Sequence, residues 1–186
     1  MRKGWVIAVV AATAVVSGCG DRSGSGSAPS PTTSHRLTVM SPAYADGGTI
    51  PRRYTCEGEN VSPPLAVTGV PPQASSLAFL LQDPDAPRGT FTHWLVWDID
   101  PHAGHLTAGE HPRGAAEGRN DFGRTGYGGP CPPRGDSPHR YVLTVYATDR
   151  RPDLTADATR ADLLHALSGH TLATGTLTGR YGRQAD

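Results

Sequence analysis

The feature that most restricts the fold is a set of three segments that are apolar on both faces of an extended chain. Leu77 to Gln82 (LAFLLQ) is a continuous apolar run, as expected of a strand buried on both sides. Phe91 to Ile99 (FTHWLVWDI) comes next. With a period of two, His93, Leu95 and Trp97 fall on one face, and Trp94 and Val96 on the other. His139 to Thr148 (HRYVLTVYAT) fills both faces with β-branched and aromatic residues, which marks a central strand. Shorter strands are expected at Leu37 to Met40, at Leu65 to Thr68 between proline pairs, and at about Gly175 to Tyr181. One helix is expected over Leu154 to Leu167. It places Leu163, Leu164 and Leu167 on one stripe, leaves Asp157 and Asp162 outside it, and has Gly169 as its stop. Gly/Pro loops, notably Pro101 to Pro138, join these elements. Several strands with one or two short C-terminal helices make a mainly β fold, a sandwich with helical decoration.

The N-terminus reads as a targeting segment. Arg2 and Lys3 precede Trp5 to Val16, an apolar stretch without a charge. It is too short to span a bilayer core of roughly 30 Å as a helix but suits a signal-peptide core. The run ends in Val16-Ser17-Gly18-Cys19, which resembles a bacterial lipobox with Cys19 as the lipidated residue; an ordinary secretory signal with an incidental Cys is the other reading. Residues 1–18 are thus expected to be a lipoprotein signal peptide. Residues 19–34, rich in Gly, Ser, Pro and Thr, form a flexible tether, and residues 35–186 form the domain. Removing residues 1–18 from the 186 leaves 168, enough for one core. The expected location is exported and extracytoplasmic, with the cell membrane touched only through the anchor, because there is no second hydrophobic run.

Charge excludes one partner class. The 17 Lys+Arg balance the 17 Asp+Glu, and loss of Arg2 and Lys3 leaves a net charge of about −2, with no basic stripe to meet a nucleic-acid backbone. Cys56 and Cys131 remain as an even pair in an oxidising compartment. A bridge between them is expected, two buried free thiols being the other reading.

Three segments carry the chemistry. Asp83-Pro84-Asp85-Ala86-Pro87 holds two carboxylates in a stiff, turn-forming frame directly after the first buried strand. His93 lies early in the next strand, a short loop away. Gly126-Tyr127-Gly128-Gly129-Pro130-Cys131-Pro132-Pro133 leads to His139-Arg140-Tyr141, in which His139 and Tyr141 share a face. Singly these read as a turn, a structural histidine and a loop; together they place carboxylates, imidazoles and a phenol at strand ends, where binding residues concentrate. No Gly-x-Ser-x-Gly elbow and no His-Glu-x-x-His motif is present, so a binding protein is expected, not an enzyme, with no cofactor and no metal.

The three motifs, in this order, resemble the signature of the phosphatidylethanolamine-binding protein family. Cys56 to Pro64 and Gly129-Pro130-Cys131-Pro132-Pro133 are similar to its bacterial YbhB/YbcL, Raf-kinase-inhibitor-like branch. The resemblance covers about Leu37 to Arg183. It implies a two-sheet antiparallel β-sandwich with a small anion pocket lined by Asp83, His93, Pro132, Pro133, His139 and Tyr141, supported by Asp85 and Gly129. The helix that covers the pocket in eukaryotic relatives has no match, so an open mouth is expected. Asp83 is expected to accept from a histidine, fixing its tautomer and favouring imidazolium, while the other ring nitrogen donates to a phosphate, phosphonate or carboxylate oxygen. Tyr141 would add a hydroxyl donor, Asp85 would hold backbone amides, and Arg140 would be a structural ion-pair partner. The resulting function is non-catalytic binding of phosphate, phosphoethanolamine, a phospholipid head group or a carboxylate. An inhibitor of an extracytoplasmic protease or other protein is the second reading. A metal-dependent or acid/base hydrolase using Asp83, Asp85, His93 and His139 is the third. A homodimer and the identity of any protein target stay open.

Overall fold

A computed structural model describes residues 35–185. The expected signal peptide, tether and Cys19 lie outside these residues. The strands are β1 (His35–Arg36), β2 (Thr38–Met40), β3 (Leu65–Thr68), β4 (Ser76–Asp83), β5 (Phe91–Ile99), β6 (His105–Leu106), β7 (Ala116–Glu117), β8 (His139–Thr148) and β9 (Thr171–Tyr181); α1 (Arg160–Leu167) precedes β9. A six-stranded sheet runs β1-β9-β8-β4-β5-β7, and a three-stranded sheet runs β2-β3-β6. Every pairing is antiparallel except that of β1 with β9.

The apolar segments explain the layering. Between the sheets, Val39, Leu65, Val67 and Leu106 meet Phe79, Leu81, Trp94, Val96, Leu143 and Val145. On the outer face of the large sheet, Ala78, Leu80, Leu95 and Trp97 are covered by Ala158, Leu163 and Leu167 of α1 and its approach. The large sheet is therefore buried on both sides, which is why β4, β5 and β8 are apolar on both faces. Each buried leucine of α1 contributes about 1.5–3 kcal/mol of burial.

Two expected boundaries move. The helix begins at Arg160, not near Leu154. Thr159 is its N-cap and forms a capping box with Asp162: the Asp162 carboxylate accepts from the Thr159 backbone N–H at 2.8 Å. The residues before it form a turn closed by the Ala158 N–H on the Thr155 carbonyl. Leu154 still packs on the outer-face cluster, which mimics one more helical turn in the sequence. The helix ends before Gly169, which adopts φ +76° as a helix stop requires. The last strand starts at Thr171, four residues before the expected Gly175, and pairs with β8 along its length. Its inward positions Ala173, Gly175 and Gly179 are small, which hides the alternation that marks a strand.

A bulge alters one face assignment. The β4–β5 register changes from Leu81 opposite Trp94 to Gln82 opposite Thr92, leaving His93 as an extra residue in β5. Leu95 and Trp97 do lie together beneath α1, but His93 does not share their face. It is turned to the other side, where its ring meets Tyr141 at 5.1 Å.

Candidate functional site

Asp83 ends β4 as a buried carboxylate, 3% exposed, and so needs internal partners. Its Oδ2 accepts from His139 Nδ1 at 2.8 Å, and its Oδ1 accepts from the Asp85 backbone N–H at 2.9 Å. The second contact closes the Asp-Pro-Asp turn on itself. Asp85 turns outward. It accepts from the Arg140 backbone N–H at 2.9 Å and takes the guanidinium in two further bonds of 2.9 and 2.6 Å. Arg140 thereby holds the Asp85 carboxyl well below the usual carboxylate range. This clamp fixes the β4–β5 loop to the start of β8.

His93 is buried in the β5 bulge. Its Nδ1 donates to the Gly128 carbonyl at 2.7 Å, while the Gly128 N–H donates back to the His93 carbonyl at 3.0 Å. Phe91, Phe122 and Tyr141 pack around the ring at 5.1, 5.3 and 5.1 Å between centroids. Burial pushes the imidazole pKa down, partly offset by the Gly128 bond and the charge of Asp83. The histidine that donates to Asp83 is thus His139, while the surroundings of His93 favour its neutral form.

The Gly/Pro loop is locked from outside the site. The Gly129 N–H donates to Asn60 Oδ1 at 2.8 Å. A Cβ at Gly129 would come within 2.6 Å of both that oxygen and the Tyr54 carbonyl, so only glycine fits. Cys131 is bridged to Cys56, and the Cys56 N–H donates to the Pro130 carbonyl at 3.1 Å. From the other side Arg183 reaches the Pro132 carbonyl at 3.3 Å, and its Nε lies 3.3 Å from Glu57, which also accepts from the Tyr181 hydroxyl at 2.5 Å.

These elements enclose a hollow of about 420 Å³ at the end of the large sheet. Asp83, His93, His139, Pro132 and Pro133 line it. Tyr141 does not. It stands behind His93, wholly buried, with its hydroxyl near Asp83 but in no well-formed hydrogen bond, and burial followed by the Asp83 charge pushes its pKa up. Gly129 and Asp85 lie beside the hollow, as supports of its loops. Sequence reasoning missed several wall residues, among them Arg88, Phe91, Asp121 and Phe122. Phe122 is 43% exposed at the rim, its edge on Phe91 at 4.8 Å. Asp121 accepts from the Thr92 N–H at 2.6 Å. The Asn120-Asp121-Phe122-Gly123 turn carries no signal beyond that of a loop.

The phosphatidylethanolamine-binding protein family profile matches residues 40–182. A UPF0098 protein of Methanothermobacter thermautotrophicus is 45% identical over 152 residues, 79% of this chain and 99% of that one. LppC of Mycobacterium tuberculosis, named as a candidate lipoprotein, is 40% identical over 147 residues, 77% of this chain and 73% of that one. The crystal structure of YbcL from E. coli, described as a member of the mammalian PEBP family, is similar with a TM-score of 0.76 and 32% identity, covering 80% of this chain and 99% of that one.

Proposed function

Because the chain belongs to the phosphatidylethanolamine-binding protein family, we propose that its pocket holds a small phosphorylated or carboxylate ligand without turning it over. One observation carries this reading: Asp83, His93 and His139, from three separate strands, converge on a single hollow of about 420 Å³. That volume suits a small molecule. Asp83 serves as the inner support of His139, its two oxygens already satisfied by the His139 ring and the Asp85 amide. His139 Nε2 and Arg88 meet the ligand's polar end, and Phe91, Phe122, Pro132 and Pro133 pack on its apolar part. Tyr141 backs the His93 ring.

Titration with phosphate or phosphoethanolamine, followed by NMR of the imidazole resonances, tests the pocket. His93 and His139 should shift together at millimolar ligand, and His139→Ala should weaken binding by about tenfold or more, the loss of one charge-assisted contact. Unchanged histidine signals would refute the reading.

The reading includes an anchor. Lipidation at Cys19 would hold the domain at the outer side of the cell membrane, supported by the lipobox-like run and by LppC. Among the described residues no helix is long and apolar enough to cross a membrane. Cys19→Ser should move the protein from the membrane fraction to the soluble one; unchanged fractionation would contradict lipidation.

A further inference from the structure

The ring of His139 stands between two carboxylates. Its Nδ1 is bonded to Asp83 Oδ2 at 2.8 Å, both residues being buried. Its Nε2, at the other edge of the ring, lies 3.8 Å from Asp136 Oδ2, within ion-pair range but too long for a hydrogen bond. Asp136 is unlike Asp83 in setting. Its side chain is 46% exposed, and it comes from the turn between Pro133 and Pro138. The backbone of that turn is fixed. Gly135 adopts φ +81°, its N–H donates to the Arg183 carbonyl at 3.1 Å, and the Asp136 N–H donates to the Pro133 carbonyl at 3.4 Å. The turn that carries the wall residue Pro133 therefore also holds a negative charge beside His139. Asp136 lines a neighbouring hollow of about 560 Å³, not the pocket itself, so it acts on the pocket through the His139 ring and through its field.

We propose that Asp136 is a specificity-determining residue that biases the pocket toward singly charged oxyanions, such as carboxylates and phosphodiesters, over doubly charged phosphomonoesters of similar size. The inference rests on the pocket reading above and specifies the charge of its ligand. An anion drawn to His139 either shares Nε2 with Asp136 or pushes that carboxylate aside. The repulsion between them grows in proportion to the ligand's charge, so a dianion bears about twice the penalty of a monoanion. Placing a like charge beside a site is a means of rejecting one ligand while keeping another.

The other charged groups do not obscure this effect. Arg88, Asp83 and Asp121 line the pocket and act on every ligand, whether or not Asp136 is present. Asp83 keeps its bond to Nδ1 when Asp136 is changed, so the ring retains its nearer partner.

The test is calorimetric titration of the folded domain, as parent and as Asp136→Asn, with dimethyl phosphate and with methyl phosphate. At about pH 8 the first carries one negative charge and the second chiefly two. Asp136 is exposed enough to be changed without loss of the fold. In the variant the affinity for methyl phosphate should rise by about threefold or more relative to that for dimethyl phosphate at low ionic strength. This relative gain should shrink in about 0.5 M sodium chloride, because a half-exposed charge is screened. A role in shaping the turn alone would move both affinities together and would not respond to salt. An unchanged ratio of the two affinities overturns the proposal while leaving an anion pocket in place. Binding of neither ligand to the parent refutes the pocket reading and this inference with it.

Discussion

His93 shows how one residue joins stability to ligand chemistry. Its carbonyl and its ring are both engaged by Gly128, and its surroundings lower the imidazole pKa through burial. With the folded value below the unfolded one, the unfolded chain binds more protons between the two. The stability due to neutral His93 is therefore complete above about pH 6.5 and is lost as pH falls from there through the folded value, with a slope of up to about 1.4 kcal/mol per pH unit. Urea unfolding from about pH 8 to 5 should show this decline, and His93→Gln should flatten it. A variant profile parallel to that of the parent would assign the decline to other groups. At Gly129 the constraint is steric. An added Cβ would press on the Tyr54 carbonyl and Asn60 Oδ1 at 2.6 Å, so Gly129→Ala should cost about 1–3 kcal/mol by urea midpoint. No loss would mean that the loop moves away freely.

At the scale of elements, β3, β5 and β8 have the expected limits, because β-branched and aromatic residues bounded by proline or glycine leave an extended chain little choice. The family motifs also pointed to the Asp83, His93 and His139 segments that the fold brings together. Other features depend on contacts that no single segment encodes. The bulge at His93 follows from the mismatch between β4 and β5, and without it Phe91 would fall on the opposite face from Asp83, its partner in the register. The helix start was locally encoded by Thr159 and Asp162, but Leu154 packs on the same cluster and obscures the boundary. Asp121 and Phe122 reach the pocket only because their loop folds back over β5, as the Asp121 N–H bond to the Thr92 carbonyl at 3.0 Å shows. The cap is directly testable. Thr159→Ala should lower stability by about 1 kcal/mol, with the loss confined to faster amide exchange in α1 if the helix frays locally.

For the whole domain, the decisive tie is the Cys56–Cys131 bridge, which spans 75 residues of sequence and joins the segment before β3 to the pocket wall. In the chain-entropy account, closing a loop of this length stabilises the fold by roughly 4–5 kcal/mol, mostly by restricting the unfolded chain. The wall does not depend on the bridge alone. Gly129 is held by Asn60, Pro130 by the Cys56 N–H, and Pro132 by Arg183, whose partner Glu57 also binds Tyr181 at the end of β9. Stability and binding should therefore separate. The double variant Cys56→Ser with Cys131→Ser should lose several kcal/mol to urea, yet bind phosphate within about tenfold of the parent where it remains folded. The bridge acts chiefly on the unfolded state, whereas the hydrogen bonds act on the pocket. Loss of binding in a variant that is still fully folded would reverse that assignment and make the disulfide the element that shapes the site.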